Sequence, residues 1–259
     1  MTVVPEHSTR KIGLARALSK LGYCSRSQAG QIIRQGSVSL NGRVRRDPET
    51  PVHLTRDRIE VDGQPIEQSK KIYLMMNKPR GMVTTASDEK GRDTVYSILT
   101  NANEPLPWLA PVGRLDKASE GLLLLTNDSE WGARITDPAT HLDKTYHVQI
   151  ATIADEALLM QLRHGIKSEG DTLHSREASL LRSGGRNSWL DLTLDEGKNR
   201  HIRRMLAALD IEVLRLVRVA IGPLQLGNLA KGKYRVLTAD EKRSLDRAIG
   251  TANKKQSTK

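Results

Sequence analysis

The hydrophobic and polar positions of this chain repeat with two periods, which predict helices in some stretches and strands in others. Near the amino terminus apolar residues recur at helical spacing, at Ile12, Ala15, Leu18 and Leu21. A second helix is predicted over residues 27–35, with Ser25 or Ser27 as its cap and Gly36 as its stop. Residues 38–44 then alternate around an Asn-Gly pair, which is a strong signal for a β-hairpin.

Farther along the chain, strand-like and helix-like patterns follow each other irregularly. Strands are predicted over residues 59–61, 72–76, 121–125, 144–150, 178–181, 189–194 and 234–237, and residues 213–226 are rich in β-forming residues. Helices are predicted from a cap at Asp93 to Leu99, from residue 129 to about residue 138, and over residues 154–164, 199–209 and 239–249. This order favours an α+β fold with a largely antiparallel mixed sheet flanked by helices over regular β-α-β winding.

Breaks in these patterns divide the chain into parts. The polar segment 64–71, which contains Pro65, is predicted to link a small α/β module at residues 9–68 to a larger domain at residues 71–250. Residues 101–107, which are rich in Pro and Asn, are predicted to form a loop. Residues 251–259 contain few apolar side chains and are predicted to form a disordered basic tail.

The charge balance indicates a polyanionic partner. The chain has 41 Lys and Arg against 30 Asp and Glu, a net charge of +11, and residues 10–46 contain nine cations and no acidic residue. A solvated surface normally mixes both signs, so this one-sided stretch favours phosphate binding over a solvated basic face. Because Phe is absent and aromatic residues make up 3% of the chain, contact with a nucleic acid should run through phosphates and shape.

Other classes of protein are disfavoured by the composition. The single cysteine, Cys24, excludes an internal disulfide and a cysteine-rich zinc site, and the scattered histidines predict no metal. No apolar run approaches the roughly 20 residues that span a bilayer. No signal-like segment opens the chain, so we expect a soluble, cytoplasmic protein.

Residues 111–128, PVGRLDKASEGLLLLTND, contain the clearest candidate for catalysis. Gly113 permits a tight backbone turn, and the apolar strand at residues 121–125 predicts a rigid frame behind Asp116. A carboxylate held on such a frame is a candidate catalytic group. Since most Asp residues beside Gly simply cap loops, this stretch alone leaves both interpretations open.

Together with four other segments in the same order, this stretch closely resembles the RsuA-type family of bacterial ribosomal RNA pseudouridine synthases. The other segments are a basic amino-terminal module similar to the RNA-binding module of ribosomal protein S-four, residues 77–81 (NKPRG), residues 144–146 (KTY) and residues 196–205 (EGKNRHIRRM). The resemblance covers most of the chain. It implies an isomerase that converts uridines of ribosomal RNA to pseudouridine and needs neither a cofactor nor a metal.

The resemblance assigns three catalytic residues. Asp116 matches the reactive Asp of the family, which adds to the uracil, attacks the ribose anomeric carbon or removes a ribose proton; the sequence leaves these routes open. Arg203 matches the cation that keeps this carboxylate ionised, with Arg204 as the competing choice and a phosphate contact as the alternative role. Tyr146 matches the active-site tyrosine, which stacks on the flipped uracil and takes part in the final proton transfer, although a strand Tyr more often packs in the core.

Further residues are implied in substrate binding. Arg114 is expected either to fill the gap left by the flipped base or to contact a phosphate, and Leu216 or Ile221 to form an apolar wall of the uracil pocket. The cations expected to face the RNA around the site are Lys78, Arg80, Arg200 and Arg204. In the amino-terminal module the expected phosphate contacts are Arg16, Lys20, Arg26, Arg34 and Arg43.

The implied partner is ribosomal RNA or a ribosomal subunit precursor, bound by a monomer. Residues 196–200 are somewhat more similar to family members that act on large-subunit RNA than to those that act on small-subunit RNA. Two other classes stay open. A noncatalytic RNA-binding ribosome-assembly protein would share the basic module without needing Asp116, Tyr146 and Arg203 together, and a glycoside hydrolase usually needs two carboxylates where the motifs supply one.

Overall fold

The computed structural model of the protein describes residues 11–85, 92–100 and 106–256, with residues 251–256 described as backbone only. The chain forms two compact units. The first consists of Met1–Ile72, Ala102–Ala110 and Thr126–Ser129, and the second of Tyr73–Asn101, Pro111–Leu125 and Glu130–Lys259. The first change of unit, between residues 72 and 73, falls just after the predicted linker.

The part of the first unit that the structure describes contains two helices and two small sheets. In chain order its elements are β1 (Ile12–Gly13), α1 (Leu14–Lys20), α2 (Arg26–Gln35), β2 (Val38–Leu40), β3 (Arg43–Val44), β4 (Pro51–Val52), β5 (Ile59–Val61) and β6 (Gln64–Pro65). The strands β3, β2, β5 and β6 form an antiparallel sheet in that order, and β1 pairs with β4. Leu14, Leu18 and Ile33 of the helices are fully buried in the core of this unit.

Local signals fix the ends of α2. The Ser25 hydroxyl accepts a hydrogen bond from the Gln28 backbone N–H (3.2 Å), and the Gln28 side chain accepts one from the Ser25 N–H (3.1 Å), which completes a capping box. Gly36 ends the helix in the left-handed region, with φ of 88°. Of the two predicted caps, Ser25 is the one the structure uses.

Two tight turns organise the four-stranded sheet. The predicted hairpin is confirmed, with Asn41 and Gly42 both at positive φ (52° and 75°) between β2 and β3. Asp62 and Gly63 make a second turn of the same kind (49° and 78°) between β5 and β6. The predicted linker at residues 64–71 therefore begins as the strand β6, because the Asp-Gly turn returns the chain to the sheet.

The second unit is built on one large sheet. The remaining elements, in chain order, are β7 (Tyr73–Lys78), α3 (Tyr96–Leu99), β8 (Ala110–Val112), β9 (Glu120–Thr126), α4 (Ser129–Thr136), β10 (Lys144–Ile150), α5 (Glu156–His164), β11 (Ile166–Ser168), β12 (Asp171–Leu173), β13 (Glu177–Ser183), β14 (Ser188–Leu194), α6 (His201–Ala207), β15 (Val213–Ile221), β16 (Leu224–Gln225), β17 (Tyr234–Val236) and α7 (Ala239–Gln256). A short 3-10 helix covers Pro138–Thr140, and β11 and β12 form a separate two-stranded sheet.

Nine strands of the described chain form the large sheet, with the order β13-β14-β10-β15-β9-β7-β17, β16 beside β15 and β8 beside β9. The ladders β13–β14, β14–β10, β10–β15, β15–β16 and β7–β17 are antiparallel, and β15 pairs with β9 in parallel. The predicted α+β fold with a mixed, largely antiparallel sheet is confirmed.

Helices cover this sheet through two apolar clusters. The first contains residues of α5 and α6 with strands β10, β14 and β15, and the second contains residues of α4 and α7 with strands β7 and β9. Burial of each large apolar side chain in such clusters stabilises the fold by roughly 1.5–3 kcal/mol. Leu216 of β15 belongs to the first cluster and Ile221 of the same strand to the second. The cavity described below is lined by both residues.

Several boundaries differ from the prediction. Helix α3 begins after Val95 without a side-chain cap, so the predicted cap at Asp93 is wrong. Helix α7 continues past its predicted end at residue 249 to residue 256, into the segment predicted to be disordered, because Ala, Lys and Gln favour helix and one glycine does not end it. Residues 101–105 of the predicted loop lie outside the described residues. Within the described part of the chain, no helix is both long and apolar enough to cross a membrane.

Candidate active site

A cavity of about 620 Å³ lies within the second unit. Its volume falls within the roughly 300–1,000 Å³ typical of small-molecule sites. Six cationic side chains line it, Arg114, Lys144, Lys198, Arg200, Arg203 and Arg218, against three carboxylates, Asp116, Asp195 and Glu196. The excess of positive charge suits an anionic ligand such as a nucleotide.

Asp116 enters this cavity from the Asp116 loop, residues 113–119, between β8 and β9. Gly113 begins the loop at φ of 73°, a conformation that residues with a Cβ resist. The Thr84 hydroxyl donates to the Leu115 carbonyl (2.8 Å), and the Gly81 N–H donates to the Lys117 carbonyl (2.7 Å). The strand β9 that follows is buried along its whole length. The loop is therefore fixed at several points, as the rigid frame predicted behind Asp116 requires.

Lys78 is the main support of this loop. Its side chain is fully buried, and its ammonium donates to the carbonyl oxygens of Pro79 (3.2 Å), Asp116 (3.1 Å) and Ser119 (2.8 Å). Burial lowers the pKa of Lys78 to about 8, against the opposing effect of the charges of Asp116 and Glu120. The prediction that Lys78 faces RNA is wrong, because β7 runs through it and turns it into the core.

We expect Lys78→Met to destabilise the protein by about 3 kcal/mol, because three carbonyls, one buried and two partly buried, lose their donor at roughly 1 kcal/mol each. Folding lowers the pKa of this group from 10.5 to about 8, so the unfolded chain binds its proton more tightly and wild-type stability should rise with pH between those values. Lys78→Met should lose that rise, as measured by denaturant unfolding across this pH range. The control is Lys117→Met, which removes an exposed lysine of the same loop; equal stability of the two variants would contradict the supporting role.

The carboxylate of Asp116 has a cation beside it, although not the one predicted. Arg200 Nη1 lies 3.7 Å from Asp116 Oδ2, and this is the ion pair that Asp116 makes among the described residues. Arg203 instead donates from Nη2 to the backbone carbonyl of Ala118 (3.1 Å), two residues after Asp116 in the chain. Burial and then the charge of Arg200 lower the pKa of Arg203, while Asp116 acts the other way. Both arginines therefore act on Asp116 electrostatically, and Arg203 also holds its loop.

Arg204, the competing choice for this role, is committed elsewhere. It donates from Nη2 to Asp171 (2.8 Å) and to the Ser168 carbonyl (2.9 Å), and its Nε pairs with Glu169 (2.9 Å). It does not line the cavity. The prediction of Arg204 as a substrate contact is wrong, because successive positions on α6 face different directions, and Arg203 is turned toward the cavity whereas Arg204 is turned away from it.

Tyr146 and the two predicted apolar residues come together. Tyr146 lies on β10, lines the cavity and packs at the border of the first apolar cluster. Leu216 and Ile221 of the neighbouring strand β15 also line the cavity and are 6% and 2% exposed. The cavity can therefore hold a flat ring between the phenol of Tyr146 and the aliphatic side chains of Leu216 and Ile221, in the same cavity as the carboxylate of Asp116.

The two remaining cations predicted near the site lie on exposed loops. Arg114 is exposed and lines the cavity two residues before Asp116. Arg80 is also exposed and is not among the residues that line the cavity. Its charge, like the charge of Arg200, lowers the pKa of Arg203. Both side chains are accessible to a bound polyanion.

Several charged or titratable residues of the cavity were missed from the sequence, among them Lys144, His201 and Arg218. Lys144 and Arg218 lie on adjacent strands, and burial followed by the charge of Arg218 lowers the pKa of Lys144. His201, the first residue of α6, is 4% exposed, and burial lowers its pKa. A usable signal existed for Arg218, because it lies in phase with the apolar positions Leu216 and Ala220 of a strand and so falls on a buried face.

The first unit carries a separate basic surface. Lys11, Arg16, Arg26 and Arg34 line a hollow of about 530 Å³, here called the basic hollow, together with a single carboxylate, that of Glu49. The other two predicted contacts, Lys20 and Arg43, are not part of its lining. Lys11 was not predicted.

Among the residues that the structure describes, no group of three or more His, Cys, Asp or Glu side chains could hold a metal ion.

Comparison with known proteins identifies the class to which this fold and cavity belong. Residues 72–208 match the family model described as RNA pseudouridylate synthase, and residues 12–59 match the S4 domain. The chain belongs to the RNA pseudouridylate synthase family, so it is an isomerase that acts on uridine in RNA, and the resemblance found in its motifs is confirmed.

Several relatives match nearly the whole chain. The chain is 36% identical to ribosomal large subunit pseudouridine synthase B of Bacillus subtilis, over 90% of its own length and 94% of the relative. It is 35% identical to an uncharacterized RNA pseudouridine synthase of Aquifex aeolicus, over 93% and 96% of the two chains. A crystal structure of a pseudouridylate synthase superposes with a TM-score of 0.62 at 32% identity and covers 90% of this chain and 99% of that one.

Proposed function

We propose that this protein converts specific uridines of large-subunit ribosomal RNA into pseudouridine, with Asp116, Tyr146 and Arg203 as its catalytic residues. The observation that carries the proposal is that these three side chains line one cavity in the domain that defines the family. Acting on ribosomal RNA would place the protein in the cytoplasm, and we expect it to act as a monomer.

The substrate uridine has to leave its base stack before it can react, since a stacked base cannot reach a carboxylate inside a protein. The cavity can take the flipped uracil between Tyr146 and the aliphatic side chains of Leu216 and Ile221. Arg114 is exposed beside the cavity, so it can fill the space that the base leaves. Arg80 and Arg200 then lie where they can contact the flanking phosphates.

Asp116 supplies the reactive group. Pseudouridine formation breaks the bond from N1 of uracil to C1′ of ribose and joins C5 of the same ring to C1′. Each of the three routes open to the family needs the carboxylate of Asp116 to be ionised. Arg200 lies 3.7 Å from this carboxylate, and Arg203 holds the loop that carries it. No electrons enter or leave in the net reaction, so these side chains suffice without a cofactor.

Tyr146 completes the reaction in this proposal. After C5 has bonded to C1′, C5 still carries the hydrogen that it had in uridine, and this hydrogen has to be removed as a proton. The phenol of Tyr146 lines the cavity and is the proposed participant in this transfer. Its ring also provides the stacking surface for the uracil.

The basic hollow is the proposed RNA contact of the first unit. Four cations surround a single carboxylate there, and the match to the S4 domain, residues 12–59, covers the carboxylate and all of the cations except Lys11. Contacts of this kind contribute through release of counterions from phosphates, so they make binding depend on salt.

We expect the double variant Arg26→Gln/Arg34→Gln to bind RNA more weakly and with less salt dependence. Loss of two phosphate contacts should reduce the slope of log affinity against log salt by about 1.4–1.8. The matched control is Arg56→Gln/Arg58→Gln, which removes two exposed cations of the same unit outside the hollow. Titration of a labelled ribosomal RNA fragment at several salt concentrations measures both slopes. Equal slopes for the two double variants would rule out the hollow as the contact.

The choice of large-subunit RNA is supported by the Bacillus subtilis relative, whose name specifies the large subunit and which covers almost the same length. Small-subunit RNA is the alternative target. Incubating the purified protein with transcripts of each RNA and mapping pseudouridine separates the two, with modification expected at discrete positions of the large-subunit transcript only.

A further inference from the structure

Arg218 lies in the wall of the active-site cavity, and none of the roles proposed above requires it. Its side chain is 6% exposed, which is unusual for a charged residue. On the sheet it lies directly opposite Tyr146 of the adjacent strand β10. A permanently charged guanidinium is therefore placed beside the residue that we propose to stack on the uracil.

The position of Arg218 is fixed from β9. Its Nε donates to the Leu122 carbonyl at 2.7 Å. Gly121 pairs with Arg218 across the parallel ladder and has φ of 101°, and a Cβ at that glycine would lie 2.2 Å from the Arg218 carbonyl oxygen. Only glycine permits this close approach of the two strands. The guanidinium is thus held by backbone packing and by one of its own hydrogen bonds.

One nitrogen of this guanidinium has no acceptor. Nη2 of Arg218 is buried and has no hydrogen-bond partner among the described residues. Buried donors are nearly always paired, and a charged donor left without an acceptor is costly. The nearby Lys144 ammonium cannot accept a hydrogen bond, and its own pKa is lowered by burial and by the charge of Arg218. Two cations therefore lie close together on this side of the cavity. The carboxylates of Asp143 and Asp195 also act on Lys144, but none of the described groups accepts a hydrogen bond from Nη2 of Arg218.

We propose that Arg218 donates a hydrogen bond from Nη2 to a carbonyl oxygen of the flipped uracil and stabilises the negative charge that the ring carries during isomerisation. This inference rests on the proposed function, since it needs a uracil in the cavity. It makes Arg218 a further catalytic residue, acting on the base while Asp116 acts on the ribose or on C6 of the ring.

The chemistry requires such a group on every route. On two routes the bond from N1 to C1′ breaks heterolytically, and its electron pair stays on the uracil, shared by N1 and the carbonyl oxygens. On the first of these routes C1′ bonds to the Asp116 carboxylate, and on the second C2′ gives that carboxylate a proton. If Asp116 adds to C6 instead, the electron pair of the C5=C6 bond moves onto the oxygen at C4. The charge leaves the ring when C5 bonds to C1′. In that step the Asp116 carboxylate leaves C1′ on the first route and returns its proton to C2′ on the second, and on the third route it is released from C6 as the C5=C6 bond re-forms at the end. A buried donor aimed at the oxygen stabilises each of these anions.

The test compares uridine with 5-fluorouridine at the target position of an RNA stem-loop, using the full-length protein. Arg218→Met should slow single-turnover joining of C5 to C1′ by about 100-fold with uridine, the loss typical of removing one donor from a charge-stabilising site. With 5-fluorouridine the loss should shrink to about tenfold or less, because fluorine withdraws electrons and stabilises the ring anion without the arginine. Nuclease digestion and chromatography follow the joined product for both bases.

A purely structural role would not depend on fluorine. The matched control is Arg215→Met on the same strand, which removes a partner of the buried Glu120 and should slow both substrates equally if it slows either. If Arg218→Met does not fold, Arg218→Lys provides the test, because it keeps the charge and loses the planar guanidinium. Its rate should fall less than that of Arg218→Met, and the fall should again be larger with uridine than with 5-fluorouridine. Equal losses with uridine and 5-fluorouridine, or turnover near that of the wild type, would overturn the inference. An inactive wild-type protein would instead contradict the proposed function itself.

Discussion

Asp116→Asn is expected to abolish isomerisation, with a fall in the single-turnover rate of about 10⁴-fold or more, as is typical when a reactive group of this kind is lost. The amide has the shape of the carboxylate but cannot act as a nucleophile or a base at neutral pH. The backbone of the Asp116 loop should stay in place, because Lys78, Thr84 and Arg203 hold it through carbonyl oxygens of the loop. Pseudouridine formed in a saturating excess of enzyme gives the rate.

The affinity of Asp116→Asn for RNA should stay close to that of the wild type, since phosphate contacts do not involve this side chain. The control is Asp195→Asn, which neutralises another carboxylate of the same cavity. We expect it to keep most of the activity, whereas a glycosidase-like reaction with two carboxylates would lose activity in both variants. Substantial turnover by folded Asp116→Asn would remove Asp116 from the mechanism.

Tyr146→Phe is expected to reduce turnover by roughly 100-fold to 10⁴-fold, the range for loss of an acid-base group. Phenylalanine keeps the ring, its stacking surface and its packing at the border of the first apolar cluster, and loses only the hydroxyl. RNA binding and stability should therefore change little. The variant should also accumulate RNA in which the uracil has been detached or rearranged while the final proton is still in place.

Tyr146→Leu separates the two roles of the ring. It loses both the hydroxyl and the stacking surface, so it should bind the RNA target less tightly than Tyr146→Phe and turn over no faster. If Tyr146→Phe turns over at nearly the wild-type rate in a single-turnover experiment, the phenol does not transfer the proton, and Tyr146 acts only by stacking.

The sequence predicted the helices and strands of this fold better than the residues at which they begin and end. Alternation identified β10 and the hairpin at Asn41 and Gly42, because each of these signals is local and strong. Lys78 shows where local reasoning fails. The predicted strand ended at residue 76 and Lys78 was expected to face the RNA, whereas β7 continues through Lys78. Only the tertiary structure shows that three backbone carbonyls accept hydrogen bonds from its buried ammonium.

The sequence predicted the site residues that belong to a motif. It did not predict the contacts that depend on the direction of individual side chains. Asp116, Tyr146 and Arg203 lie together in the cavity, as the motifs implied. The ion pair of Asp116 with Arg200 could not be predicted, since Arg200 lies in the left-handed conformation at the start of α6 and this sets the direction of its side chain. Arg218 illustrates a signal that can be used in other sequences: a charged residue in phase with buried apolar positions marks a polar group inside the fold.

The most direct test of the central claim is a map of pseudouridines in ribosomal RNA from three strains of the organism that carries this protein. One strain has the wild-type protein, one lacks it, and one carries Asp116→Asn at normal abundance. We predict that at least one uridine of large-subunit RNA is pseudouridine in the first strain and unmodified in the other two. Identical pseudouridine maps in all three strains would contradict the claim that this protein modifies ribosomal RNA through Asp116.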